Sequence, residues 1–229
     1  PLAELVPARP EDLVMHRGRT VVGRYYDGAR AYLRLFDPRT GNAQRVVIFG
    51  TTGAGKSRSL QLVLAACKRN GVVVHLADLK EGQSVPEAAG NVATRVTTLE
   101  EAILLLRALV AEAKDRMRRY GEMGRSGFIL GKPDPLVYGV IDEANRLLDK
   151  SSPYRDEAAL LIKELGRTGR SVGVGVIIAA QASHLEELGG NDTLRAMLKE
   201  GEVVLLRWSS SMMQSLVSDG ILSRGATLQ

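Results

Sequence analysis

Cysteine is nearly absent from this chain of 229 residues, where Cys67 stands alone. One thiol closes no internal disulfide, which excludes a disulfide-stapled scaffold and fits a reducing, cytosolic setting. Its place inside an apolar-periodic segment marks it as a small buried helix residue. The histidines His16, His75 and His184 are scattered, with no cysteine or carboxylate partner at ligand spacing, so no zinc site is expected. Aromatic residues make up only 4% of the chain. No apolar run reaches the length that crosses a bilayer, and no secretory signal opens the sequence. The first residue is Pro1 rather than Met, so the expectation is a piece of a longer protein. The lack of a span here therefore says little about the parent.

What is present is an ordinary globular composition, 45% hydrophobic and 25% charged, long enough to bury a large core as one domain. A formal charge of +5 tolerates a polyanionic partner such as DNA without demanding one. Residues 1–45 carry Pro7, Pro10 and Pro38 among Gly/Asp turns. They read as a lead-in with short strands at Val21-Val22 and Tyr32 to Phe36, packed on a core of residues 46–229. From Val46 on, solid apolar runs alternate with helical patterns. Strands are expected at Val46–Phe49, Val72–Ala77, Leu136–Ile141, Val174–Ala180 and Val203–Trp208. Between them lie helices from about Lys56 to Lys68 and from Thr98, with its Glu101 capping box, to Tyr120. Further helices are expected from Asp156 to Leu165 and over Met212 to Val217. The long helix carries one stripe: Ile103, Leu106, Leu109, Val110, Ala113, Met117 and Tyr120. This order implies an α/β fold with a mostly parallel central sheet flanked by helices.

The strand Val46–Phe49 runs into Gly50-Thr51-Thr52-Gly53-Ala54-Gly55-Lys56-Ser57, which fits G-x-x-x-x-G-K-[ST] at every fixed position. Glycines let the backbone curl until successive N–H groups face one set of phosphate oxygens, and the helix start adds partial positive charge. Arg58 follows directly and joins the candidate nucleotide-binding residues. Lys56 is expected at the β- and γ-phosphates and Ser57 on Mg²⁺, with ATP as the nucleotide. Asp142, ending the strand Leu136–Ile141, is the expected metal-side carboxylate. Glu143 is the expected general base for the attacking water.

Gln181 ends another apolar strand, where α/β sheets keep their ligands, and reads either as a γ-phosphate sensor or as a surface turn residue. Arg167 and Arg170 precede that strand. Each reads either as an arginine supplied to a neighbouring subunit's phosphoryl group or as a cation favoured at a helix C-terminus.

The glycine loop and the Asp142-Glu143 strand alone indicate the RecA-like group of P-loop ATPases. Several further segments, in order and spacing, resemble the motor domain of the FtsK/SpoIIIE family of ring-forming DNA translocases. Ala77-Asp78-Leu79-Lys80 is similar to that family's I-D-P-K, and Ala113 to Met123 to its M-x-x-R-Y-x-x-M. Gly169 to Gln181 is similar to its R-A-A-G-I-H-L-I-x-A-T-Q. Trp208-Ser209-Ser210 with Ser215, and Arg224-Gly225, echo its closing motifs. The resemblance spans residues 46 to 228. It departs at Gln181-Ala182-Ser183, at Glu202-Val203 where an arginine is usual, and at Ala226-Thr227-Leu228.

The resemblance implies a cytoplasmic ATPase that assembles as a hexameric ring and threads double-stranded DNA, in chromosome segregation or conjugative plasmid transfer. The parent is open to anchoring at the cytoplasmic face of a membrane. Arg118, Arg119, Arg125 and Lys132, around the loop after the long helix, are the candidate DNA contacts, against the alternative of a solvated helix end. The competing function is a protein-export motor of the type VII secretion kind. A third reading is a nucleotide-binding switch that hydrolyses nothing, disfavoured by intact Lys56, Asp142 and Glu143.

Overall fold

The computed structural model describes residues 8–25, 27–51, 53–181 and 201–206. Thr52, Arg207-Trp208, the helix expected over Met212 to Val217 and the closing family-like motifs lie outside the described residues. The first part is irregular, with a two-stranded antiparallel ribbon, β1 (Arg19–Arg24) and β2 (Arg30–Arg34), and a small strand pair, β3 (Phe36–Asp37) and β4 (Asn42–Ala43). Then come β5 (Arg45–Gly50), α1 (Lys56–Arg69), β6 (Val73–Asp78), β7 (Thr94–Val96) and α2 (Leu99–Glu122). They are followed by β8 (Val137–Asp142), α3 (Asn145–Leu148), α4 (Arg155–Glu164), β9 (Val174–Gln181) and β10 (Glu202–Leu206).

Six strands form one parallel sheet in the order β10-β5-β9-β8-β6-β7. Each central strand is buried on both faces, which is why β5, β8 and β9 read as unbroken apolar runs rather than alternating ones. β9 lies between β5 and β8, so the glycine-loop strand and the Asp142 strand are not neighbours. The registers place Gly50 beside Gln181 and Asp142 beside Asp78. All four residues therefore stand at the C-terminal edge of the sheet, where parallel sheets bind ligands.

Adjacent residues of β8 show what covers each face. At Gly139 a Cβ would come within 2.3 Å of Leu109 Cδ1, so α2 lies directly on that face and only glycine fits. Tyr138 points to the other face. Its hydroxyl meets the carbonyls of Leu35 and Gln44 and accepts from Gln44 N–H at 3.1 Å, tying the N-terminal strands to the sheet. Asn70, at the end of α1, accepts from Met15 N–H at 2.9 Å and donates to Leu13 C=O at 2.7 Å. Val22, Leu33, Leu35 and Phe36 join the same apolar core as the sheet.

The Thr98–Glu101 capping box forms, and α2 runs from there to Glu122. One expectation fails on this helix: Met117 is 49% exposed, and Arg116 is buried in its stead. The last turns of α2 lean on main chain rather than on methyl groups. The Arg116 guanidinium donates to the carbonyls of Pro135, Val172 and Gly173 and pairs with Glu112 at 2.7 Å. Buried carbonyls need donors, and a thioether supplies none. Cys67 is buried as expected, and burial pushes its thiol up to about 12. Among the described residues, no helix is long and apolar enough to cross a membrane.

Candidate active site

The glycine loop needs backbone that side chains resist. Gly53 has φ +73° and Gly55 φ +95°, both in the left-handed region where Cβ is disfavoured. Nothing lies within 4 Å of where a Cβ on Gly55 would point, leaving that side of the loop open. Gly50 is confined differently, because a Cβ there would press on Leu206, Ala54 and Lys56 at 3.3 to 3.6 Å. The N–H of Ala54 closes the turn on Thr51 C=O at 3.0 Å. Lys56 opens α1 and is buried, Ser57 is half-buried, and Arg58 is exposed, where it donates to Gln61 at 3.1 Å. Thr52 lies outside the described residues.

Lys56 Nζ sits 2.5 Å from Asp142 Oδ1 and 2.9 Å from Glu143 Oε1. Burial alone would pull the Lys56 pKa down, but Asp142 and Glu143 outweigh it and hold the ammonium above its ordinary value. Lys56 is therefore charged throughout the neutral range. Gln181 Nε2 donates to the other oxygen of Glu143 at 3.2 Å. Glu143 has φ +54°, a conformation that costs a non-glycine residue on the order of 1–3 kcal/mol. Its N–H donates to Asp142 Oδ1 at 2.9 Å, which helps to hold the turn. Asp142 is fully buried, and its Oδ2 has no hydrogen-bond partner among the described residues. Leaving such an acceptor unpaired costs about 1–3 kcal/mol, so this atom is built for a ligand the protein itself does not supply. That orphan oxygen and the open side of Gly55 fit a metal-bound nucleotide.

The structure thus brings Lys56, Asp142, Glu143 and Gln181 together beside the glycine loop. It does not bring Arg167 or Arg170 to them. Both lie where the chain enters β9, at the opposite edge of the sheet. The adjoining Gly166 backbone there abuts Arg45, the first residue of β5. Arg167 pairs with Glu164 at 2.9 Å, and the buried Nε of Arg170 has no hydrogen-bond partner among the described residues.

The proposed DNA contacts also gather at that far edge. Arg118 pairs with Asp115 and Glu122, and Arg119 forms a two-pronged pair with Asp134 besides its contact to Asp115. Arg125 lies over the Tyr120 ring at 5.5 Å, and Lys132 sits in an exposed turn. Sequence reasoning missed Asp78, at the edge beside Asp142. It is fully buried and accepts from Val85 N–H and Arg95. An acidic residue ending a buried strand, as at Asp142, was the available signal.

Comparison with known proteins adds the family. The model described as Schlafen group 3, DNA/RNA helicase domain matches residues 43–218. The chain belongs to that family. A curated relative, the ESX-4 secretion system protein EccC4 of Mycobacterium tuberculosis (strain ATCC 25618 / H37Rv), is 28% identical over 217 residues. That match takes in 85% of this chain and 17% of the relative. A second, the ESX secretion system protein EccC of Thermomonospora curvata, is 28% identical over 200 residues, 78% of this chain and 15% of the relative. The chain therefore spans a small fraction of either protein. Among solved structures, the pCW3 conjugation coupling protein TcpA with ATPγS has a TM-score of 0.71 at 21% identity, covering 93% of this chain and 62% of that one. The cytoplasmic domain of T. curvata EccC has a TM-score of 0.61 at 26% identity, covering 94% and 26%. The fold of this helicase-domain family member is that of the RecA-like P-loop ATPases, and its likeness is to FtsK/SpoIIIE-like motors.

Proposed function

We propose that this chain is an ATP-hydrolysing motor domain that moves double-stranded DNA, working as one subunit of a ring. Lys56 held between Asp142 and Glu143 beside a glycine loop is the observation that carries the ATPase. Gly50, Thr51, Thr52, Gly53, Ala54 and Gly55 cradle the phosphates, with Arg58 at the rim. Lys56 moves from the carboxylates to the β- and γ-phosphates. Ser57 and Asp142 would hold Mg²⁺, which when bound neutralises charge on the phosphates. Glu143, freed from Lys56, accepts the proton of the attacking water. Gln181 keeps its carboxylate aimed through the bond to Oε2. Because Arg167 and Arg170 stand at the opposite sheet edge, either would serve only a neighbouring subunit's nucleotide, which favours a ring, and the number six follows from the resemblance to ring-forming translocases. Arg125 and Lys132 are the DNA contacts in the loop after α2. Arg118 and Arg119 contribute to DNA binding only by exchanging their carboxylate partners for phosphates. The domain works in the cytoplasm, in chromosome segregation or plasmid transfer, and other parts of the protein supply any membrane anchor.

Support for DNA as cargo comes from the helicase-domain family match and the resemblance to DNA translocases. The 28% identity to ESX secretion proteins favours a second reading, a motor for protein export. One assay separates them: the ATPase rate with and without long duplex DNA, with Glu143→Gln as control. The DNA motor predicts stimulation by duplex that Glu143→Gln abolishes. An ATPase that depends on Glu143 yet ignores DNA overturns the DNA reading in favour of export.

A further inference from the structure

The β1–β2 ribbon has one face in the core and one in solvent. Along β2, Leu33 is buried while Arg30, Tyr32 and Arg34 alternate onto the outer face. Arg19 stands directly opposite Arg34 in the ladder, and Arg24 opposite Arg30. Like charges paired across strands destabilise a ribbon. Asp12, only 3% exposed, partly offsets this by pairing with Arg30 at 2.7 Å and Arg24 at 3.4 Å. Asp37 does the same for Arg34 and Arg39 at 3.8 and 3.7 Å. Arg17 and Arg19 have no acidic partner among the described residues. Arg17 is moreover held at φ +50°, in the turn just before the ribbon. Arg17, Arg19, Arg30, Arg34 and Arg39 line an open concavity of about 930 Å³ together with Tyr32, which is 51% exposed, and with the acidic Glu11, Asp12 and Asp37.

We infer that this outer face is a second nucleic-acid site, shaped for the phosphate backbone of duplex DNA. A concave, arginine-lined surface suits a charged rod, whereas a membrane plane is met by a protruding apolar or basic face. The ribbon lies toward the end of the molecule that carries Arg125 and Lys132. Asn70, at the C-terminal end of α1 away from the glycine loop, holds residues 13 to 15. The Asp37–Gly41 turn abuts the loop at Phe128, whose ring meets Phe36 edge-on at 5.6 Å. Duplex seated on the ribbon therefore continues toward that loop, at the end remote from nucleotide. This site rests on the DNA-motor reading and extends it to residues outside the P-loop core.

The test is duplex DNA binding by the whole chain, followed across a salt titration, for wild type and for the double substitution Arg17→Glu/Arg19→Glu. Single strands of the same sequence and anionic phosphatidylserine vesicles serve as parallel probes. The double variant should lose duplex affinity by about tenfold or more. It should also flatten the dependence of log K on log salt by about two, because two phosphate contacts are removed. Arg39→Glu, at an arginine side chain 83% exposed, should weaken binding in the same direction without touching the core. If wild type binds duplex and both variants match it in affinity and slope, the ribbon site is wrong and the motor reading stands. If wild type binds no duplex, both fall. Tighter binding to vesicles or to single strands than to duplex, lost in the variants, would overturn the assignment to duplex.

Discussion

Two clusters of buried charge lie at opposite edges of the same sheet, and they are finished to different degrees. At the far edge, Arg116 meets three carbonyls and Glu112, while Asp134 takes both prongs of Arg119 and the Tyr120 hydroxyl. Arg116, Arg119 and Asp134 are each answered from within the chain, while the buried Nε of Arg170 nearby has no hydrogen-bond partner among the described residues. At the glycine-loop edge, Asp142 keeps an oxygen without a partner among the described residues, Glu143 is held in left-handed backbone, and Lys56 is shared between two carboxylates. A saturated cluster fixes structure, whereas an unsaturated and strained one stores capacity for a ligand. The two should therefore respond to substitution in different observables.

The largest expected effect is on chemistry. Glu143→Gln should lower the ATPase rate by about 10²-fold or more while leaving ATP binding in place, because it removes the proposed proton acceptor and keeps the shape. Equilibrium binding of a fluorescent ATP analogue beside turnover checks this, and lost binding would put Glu143 in the grip instead. Next comes Arg116→Ala, which should cost about 3 kcal/mol of unfolding free energy by stranding buried carbonyls. Arg116→Met should recover part of that through packing. Denaturant melts measure both, and a turnover defect without a stability loss would break the contrast between the clusters. Gly173→Ala should cost about 2 kcal/mol, since φ is +73° and the new Cβ would sit 2.4 Å from the Phe128 ring. A neutral result there would mean the loop yields easily.

The smallest effect is at Asp134. Burial alone would raise its pKa, but the Arg119 and Tyr120 hydrogen bonds outweigh this and hold it below the ordinary value of 3.8. A depressed carboxyl contributes stability above that value and loses it as pH falls through the folded pKa. Asp134→Asn should therefore cost about 1 kcal/mol at neutral pH. The gap to wild type should close in acid below about pH 4. Thermal midpoints of both proteins across that range give the answer, and a pH-independent gap would assign the cost to shape.

Where the candidate site is built from neighbouring residues, its local geometry was legible in the sequence. Gly50 to Ser57 carries its own geometry. Asp142-Glu143 follows an apolar run whose burial on both faces announces a central parallel strand. The helix stripe was legible from Ile103 to Tyr120 except at Met117, because there α2 turns Arg116 toward backbone from residues 135 and 172–173, distant in sequence. Tyr138 was hidden for a related reason. Inside an apolar run it reads as packing, and only the fold supplies the Leu35 and Gln44 groups that its hydroxyl bridges. The pairing of Arg19 against Arg34 was not legible either, because cross-strand register is set by the fold and not by neighbouring residues.

The Tyr138 bridge also has a mechanical side. Through its hydroxyl it fastens residues 35 and 44 to the start of β8, four positions before Asp142. β8 is hydrogen-bonded to a strand on each side, so a pull along its axis is shared by both ladders at once rather than peeling one bond at a time. Force applied to the N-terminal strands thus has a stiff route through Tyr138 to the turn that holds Asp142 and Glu143.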